Sequence, residues 1–300
     1  MRHLLSFRYV DAIAKAGSIR KAAETLAITP SALNRRLLSL EEELGVEVFE
    51  RLPGGVVLNV AGEILLEHIR NQISDMERVK SRIADLSGVR RGAVTIACTE
   101  EMIGPFLSDE VQRYRTQHPG VTFNIEQHIR GNAELALIDH STDIALVFEA
   151  TNSADLQVMH TSTLPVVVHM TEDHPLARKR ILRLYECLEF PLLLPSASSG
   201  IRHLLEAAAT RLGLKLTAAV QSNHQEFLWQ QMRAEHCLSF RMPTNSPDEK
   251  NLQGVVASPL STRDVPGGKL IAGQLRGRVL PVASARFMDQ IISALAAKFE

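Results

Sequence analysis

Residues 18–41 read SIRKAAETLAITPSALNRRLLSLE. Ser18 is a helix-starting residue, Ala22, Ala23 and Leu26 follow at helical spacing, and the pattern breaks at Ala27 and Ile28 before a second start at Thr29 and Pro30. The spacing predicts two short helices joined by a tight turn. In the second helix, Thr29 offers its hydroxyl to an orphan amide, Pro30 suits the first position because it has no donor to leave unpaired, and Leu33, Leu37 and Leu40 form an apolar face. Ser31, Asn34, Arg35 and Ser39 share the other face. Such side chains can read base edges when a helix lies in the major groove. They would serve equally as the solvated side of an ordinary core helix, and the stretch by itself leaves both readings open.

Working outward, residues 4–16 form an amphipathic pattern on Leu4, Phe7, Val10, Ile13 and Ala14, closed by Gly17. Downstream, LGVEVFERLPGGVVLNVAG (44–62) places the β-formers Val46, Val48 and Val56 to Leu58 around a turn of Pro53, Gly54 and Gly55, which predicts a small two-stranded wing. The cations Arg20, Lys21, Arg35 and Arg36 precede the carboxylates Glu41, Glu42, Glu43 and Glu47. A helix charged in this way would enter the groove by its N-terminal half. The net charge of −1 argues against a surface coated in cations for indiscriminate binding, but not against a local basic face.

The run GSIRKAAETLAITPSALNRRLLSLEEELGVEVFER (17–51), followed by GVVLNVAG (55–62), closely resembles the winged helix-turn-helix of LysR-type transcriptional regulators. The resemblance covers about the first 65 residues almost without gaps. It implies an α+β winged helix-turn-helix domain over residues 1–60 that binds double-stranded DNA at an imperfect palindrome. The implied contact residues are Ser18, Arg20, Lys21, Thr29, Pro30, Ser31, Asn34, Arg35 and Arg36. Two positions depart from the family: Asn34 stands where serine is usual, and Gly54 replaces a frequent basic wing residue.

Asn59 is placed to cap a long helix over residues 61–86, on which Leu65, Ile69, Met76, Val79, Ile83 and Leu86 keep close to a seven-residue repeat. Gln72 interrupts that repeat and Ile73 offers a neighbouring apolar side chain. A narrow seam of this kind needs a partner. The family implies a second subunit, in a homodimer or homotetramer built on a linker helix spanning 61–88; the alternative is the chain's own effector domain. SGVRRG (87–92) then reads as a hinge.

From residue 93 strands and helices alternate, with strands expected at 94–98, 121–128, 143–148, 165–170, 192–195, 215–221, 237–240 and 269–275. Helices are expected at 103–117, 133–139, 201–212, 225–234 and 283–299, a pattern of sheets covered by helices. HPGVTFNI (118–125), DIALVF (143–148), HPLARKR (174–180) and PLLLPSASSGIR (191–202) resemble, more loosely, the family's effector domain, two α/β lobes hinged like a periplasmic binding protein. The resemblance implies an effector-binding domain over 92–300, with lobe one at 92–162 plus 268–300 and lobe two at 163–267. The chain would cross near 161–164 and return near 266–269.

A small-molecule effector would sit beyond the carboxyl ends of the strands. The loops there supply Thr99, Glu100, Glu101, Arg130, Gly131, Asn132, Phe148, Ser196, Ser198, Ser199, Asn223, Arg241 and Met242. Ser198, Ser199 and Gly200 at a helix start suit an acceptor or anion, or simply cap the helix. Glu100 and Glu101 would favour a cationic group and Arg130 or Arg241 a carboxylate, an arrangement fitted by an amino acid or amine-bearing metabolite.

Other function classes find little footing. Ser18 to Lys21 spell S-x-x-K, but no S-D-N or K-T-G partner follows, and the eleven histidines include no H-E-x-x-H. Neither a nucleophile elbow nor a phosphate or dinucleotide loop occurs, so neither catalysis nor a metal or cofactor is expected. Cys98, Cys187 and Cys237 lie far apart in apolar runs and read as reduced core thiols, with redox sensing the lesser option. No apolar run approaches the roughly 20 residues of a membrane span and no export signal is visible, so a cytoplasmic location is expected, with RNA polymerase as a further partner of such a regulator.

Overall fold

The computed structural model describes residues 2–86, 91–151, 154–234, 236–243 and 254–299. The chain divides into two compact units, Met1–Ser87 and Gly88–Glu300. The expected hinge falls at this division, and its residues 87–90 lie outside the described residues.

The first unit comprises α1 (Arg2–Ala16), α2 (Ile19–Thr25), α3 (Pro30–Leu44), β1 (Phe49–Leu52), β2 (Gly55–Leu58) and α4 (Val60–Leu86). Its local signals act as their chemistry dictates. The Ser18 hydroxyl caps α2, Ala27 makes the turn at a left-handed φ of 53°, and α3 ends on Gly45 at φ 71°. Val10, Ile13, Ala22, Ala23, Leu33 and Leu37 pack with Val48, Phe49 and Val56 at the wing's root and with Leu66 and Ile69 of α4. Full burial of each large aliphatic side chain stabilises the unit by about 1.5–3 kcal/mol.

The antiparallel wing runs from Phe49↔Leu58 to Leu52↔Gly55, so β1 begins after Val46 and Val48 rather than on them. Val48 is instead a buried approach residue. Its amide and that of Phe49 donate to the Glu41 carboxylate at 2.8 and 3.4 Å, which makes one member of the acidic run structural. Asn59 caps α4 by accepting from Gly62 N–H at 2.8 Å and donates to the Glu47 carbonyl at 2.8 Å.

The expected seam of α4 divides in two. Ile69 is wholly buried in the unit's own core and Leu65 packs against it, because Arg70 pairs with Asp11 at 3.2 Å and draws the first half of α4 onto α1. Ile69 is therefore not free to meet a second subunit in the way the repeat suggested, and Leu65 is half-covered. Val79 and Ile83 are exposed, as are Val60 and Ile64 near the start of the helix, and Met76 is half-buried. The side chain of Leu86 lies outside the described residues.

The second unit holds two mixed five-stranded sheets. Lobe one takes β3 (Gly92–Cys98), α5 (Pro105–Gln117), β4 (Val121–Gln127), α6 (Asn132–Ile138), β5 (Ile144–Phe148) and β6 (Leu156–Leu164). Lobe two takes β7 (Val167–Thr171), α7 (Leu184–Cys187), β8 (Leu192–Pro195), α8 (Gly200–Leu212), β9 (Ala218–Ser222), α9 (Gln225–Ala234), β10 (Leu238–Arg241) and β11 (Val255–Pro259). The chain then returns to lobe one with β12 (Gly268–Leu275) and α10 (Val282–Phe299).

The strand orders are β4-β3-β5-β12-β6 and β11-β7-β10-β8-β9. Within each sheet β3 and β8 run parallel to both neighbours, whereas the strands nearest the crossings, β12 and β7, are antiparallel to theirs. The first crossing follows Leu164 rather than falling at 161–164, since Thr161 to Leu164 still pair with Ile271 to Gly268 as the last rungs of β6. Strands β6 and β11 carry no clear alternation in sequence and are the two that periodicity did not supply. Among the described residues no helix is long and apolar enough to cross a membrane.

Candidate functional site

In the first unit the functional surface is built on α3. The Thr29 hydroxyl accepts from Ala32 N–H at 3.3 Å and lies 3.3 Å from that of Ser31, with Pro30 opening the helix. Leu33 and Leu37 are buried beneath; Ser31, Arg35 and Arg36 are exposed, and Asn34 is half-buried. Arg20 and Lys21 are exposed on α2, where Arg20 also reaches Glu24 at 3.4 Å, and Ser18 is occupied as the cap. One residue of this surface went unread in the sequence. Arg51 on β1 donates from Nη2 to Asn34 Oδ1 at 3.1 Å, tying the wing to α3 and giving the wing a cation despite Gly54.

In the second unit three of the site candidates, Glu100, Glu101 and Ser199, come together where the lobes meet. The 3-10 turn Glu100–Met102 follows β3. Glu100 accepts from the backbone N–H of Gln225, the first residue of α9, at 2.9 Å. Glu101 accepts from the hydroxyl of Ser199, the N-cap of α8, at 2.9 Å. Two adjacent carboxylates of lobe one thus end on two helix N-termini of lobe two, where orphan amides and helix dipoles favour negative charge. Partial burial pushes the Glu100 carboxyl above the ordinary glutamate range; the neighbouring Glu101 charge adds to this, while the Gln225 hydrogen bond, His224 and Arg241 oppose it.

The seam around these contacts is tight. A Cβ on Gly200 would stand 2.7 Å from the Phe148 carbonyl oxygen across the lobes, so only glycine permits this approach. A cavity of about 20 Å³ lined by Glu101, Met102, Phe106, Met242 and Leu270 remains there, room for about one water. A roomier concavity of about 420 Å³ lies elsewhere, on the flank of lobe one beside Gln157, Gln274, Arg278 and Asp289.

Several expected effector contacts have other employment. Phe148 is fully buried core, and the Thr99 hydroxyl accepts from its amide at 3.1 Å. Arg130 donates from Nε to the Glu149 carbonyl at 2.7 Å, Gly131 caps α6 at φ 92°, and Asn132 N–H bonds the Ile129 carbonyl, all within lobe one. The hydroxyls of Ser196 and Ser198 lie 2.9 Å apart, Asn223 is exposed, Met242 is 5% exposed, and the Arg241 guanidinium stacks 5.2 Å from the Trp229 ring centroid. The structure therefore brings together Glu100, Glu101 and Ser199, adds Arg241 and His224 through their fields on Glu100, and contributes Gln225, which sequence reasoning missed. Gln225 acts through its backbone and leaves no residue-type signal.

Residues 4–63 match the model of the bacterial regulatory helix-turn-helix protein, lysR family, and residues 87–296 match the LysR substrate binding domain. The chain belongs to the LysR family of transcriptional regulators. The LysR-type chain is 26% identical to the HTH-type transcriptional activator CmpR of Synechocystis sp., over 76% of its own length and 74% of that protein. It is 25% identical to the transcriptional activator protein LysR of Escherichia coli, over 83% and 79%. Among solved structures, full-length OxyR from Pseudomonas aeruginosa superposes with a TM-score of 0.69 at 19% identity, covering 97% of this chain and 94% of that one. CbnR in complex with its target DNA gives 0.59 at 16% identity, covering 97% and 99%. The effector binding domain of QuiR in complex with shikimate gives 0.59 at 17%, covering 70% and 100%.

The three cysteines of this LysR-type regulator are all buried and none is in a disulfide. Burial pushes the Cys98 and Cys187 thiols up to about 12, which suppresses the thiolate that oxidants and alkylating agents attack. Native protein at pH 8 should react with a chromogenic disulfide reagent far more slowly than the same protein in denaturant. Rapid native labelling at Cys98 or Cys187 would restore the redox-sensing option.

Proposed function

We propose that this LysR-family regulator acts as a homodimer or homotetramer in the cytoplasm and binds half-sites of an imperfect palindrome by laying the N-terminal half of α3 in the major groove. One observation carries the reading: Ser31 and Arg35 stand exposed beside Asn34 on the face away from the buried Leu33 and Leu37, held by the Thr29 cap, with Arg36 exposed at the flank of the helix. Arg35 reads a base, Ser18, Thr29, Pro30 and Ser31 set the register, and Arg20, Lys21 and Arg36 neutralise phosphates. CbnR, a fold neighbour, is known with its target DNA bound, which supports DNA as the partner. The exposed stripe of Val60, Ile64, Val79 and Ile83 on α4 is the surface for subunit pairing.

Selection from a random-site pool followed by gel shift tests this reading. Arg35→Ala should cost about 1–3 kcal/mol on the selected site and relax preference at one base position. Arg36→Ala or Lys21→Ala should weaken every sequence alike and flatten the salt dependence. Equal losses on specific and random DNA for Arg35→Ala would reassign that residue to phosphate.

The effector enters between the lobes, and we propose an amino acid or amine-bearing metabolite. Glu100 and Glu101 receive its ammonium; Arg241 and the N-termini of α8 and α9 receive its carboxylate. QuiR, whose effector binding domain is known in complex with shikimate, supports a small polar ligand for a domain of this fold. Binding shifts the lobes, rearranges the paired DNA-binding units and alters DNA bending or contact with RNA polymerase, to the extent that the ligand prefers one arrangement. The protein works without catalysis or cofactor. Calorimetry across zwitterions and plain carboxylates tests the class: binding by uncharged or anionic compounds alone would sink the ammonium assignment.

A further inference from the structure

We infer that Glu100 and Glu101 form an intramolecular latch that holds the two lobes shut and competes with the effector for the same helix N-termini. The inference deepens the reading of the inter-lobe seam as the effector site and supplies its regulation.

Neighbouring residues on one short turn of lobe one reach two different helices of lobe two, Glu100 to the Gln225 amide of α9 and Glu101 to the Ser199 hydroxyl of α8. A turn fixed at both carboxylates resists sliding as well as separation. Each contact is a charge-assisted hydrogen bond, the stronger kind, and each satisfies a donor at a helix start that needs an acceptor. Phe148 closes the same seam from below, with Gly200 packed on its carbonyl and Gly268 and Leu204 against the region of its ring. The cavity of about 20 Å³ beside Glu101 accommodates a water and not a metabolite, so an effector that takes these two donors does so by displacing the carboxylates. Apparent effector affinity is then reduced by the fraction of molecules held latched.

Hydrogen exchange on the full-length protein, read by mass spectrometry, tests the latch through cross-effects. Glu100→Ala removes a contact to α9 and is read on the first-turn amides of α8; Glu101→Ala removes a contact to α8 and is read on Gln225 at the start of α9. Peptides from β3 and β5 report whether the core stays intact. The latch predicts acceleration of about tenfold at the helix that the substituted residue does not touch, with the core unchanged. Glu100→Gln and Glu101→Gln, which keep an acceptor but no charge, should fall between wild type and the alanine variants. Acceleration confined to the touched helix would reduce both glutamates to local caps and overturn the latch. Neither result depends on DNA selectivity, so failure of the latch and failure of the regulator reading are separable.

Discussion

Replacing Asp143 by alanine should destabilise the second unit by about 3–5 kcal/mol, the cost of leaving a buried guanidinium without its carboxylate. Asp143 Oδ1 meets Arg278 Nη2 at 2.7 Å, Oδ2 accepts from Ser284 at 2.7 Å, and Arg278 donates from Nη1 to the Thr142 carbonyl at 2.7 Å. The side chains of Arg278 and Asp143 are only 8% and 9% exposed, so water cannot replace the lost partner. The triad joins the start of β5 to the segment after β12 and to α10, residues brought together from 135 positions apart or more. Against a typical domain stability of about 5–15 kcal/mol such a loss is severe. Urea denaturation should show a much lower midpoint for Asp143→Ala, a smaller shift for Asp143→Asn, and substantial recovery when Asp143→Leu is combined with Arg278→Met. A loss under about 1 kcal/mol for Asp143→Ala would mean that the pair is solvated in solution.

The second large effect is acid sensitivity of lobe two. His169 lies within β7, paired to both neighbouring strands, and is 2% exposed. Burial, helped by the Arg241 charge, lowers its pKa from 6.5 to about 4. A group whose folded pKa is depressed leaves stability intact above its unfolded pKa and removes it as pH falls toward the folded value. The loss between pH 6.5 and about 4 amounts to about 3 kcal/mol. His174, also held low by burial, adds a loss of the same sign. The lone tryptophan, Trp229, sits edge-on to His169 at 5.5 Å and reports directly on this lobe. Denaturation followed by its fluorescence should show the decline between neutral pH and pH 4.5, and His169→Gln should flatten most of it. A flat profile for the wild type would contradict the assignment.

What could be read from the sequence follows from how local the signals are. The first unit is written in caps and turns, and Ser18, Thr29, Pro30, Gly45 and Asn59 act within three or four residues of themselves. The α/β order of the second unit was legible for the same reason wherever a strand is buried on both faces, as β5 is. Strand β6 escaped because its mixed pattern of covered and exposed positions reads as loop, and with it went the exact place of the first crossing. Ile69 misled because a seven-residue repeat says that a side chain seeks cover without saying whose. The seam contacts were beyond reach for a different reason: Glu100 and Gln225 lie 125 positions apart, and the donor is a backbone amide.

The bond between Arg51 and Asn34 makes the wing and α3 depend on one another. Asn34 lies on the face of α3 proposed to meet DNA, and its Oδ1 already receives the wing's guanidinium. An asparagine held there by its oxygen turns its amide hydrogens outward and favours acceptor edges such as those of guanine or the O4 of thymine over the bidentate match to adenine. A change at position 34 that removes the side-chain oxygen also releases the Arg51 guanidinium, so the wing loses its tie to α3 in the same step. Descendants of this protein that shift to a new operator should therefore exchange positions 34 and 51 as a pair.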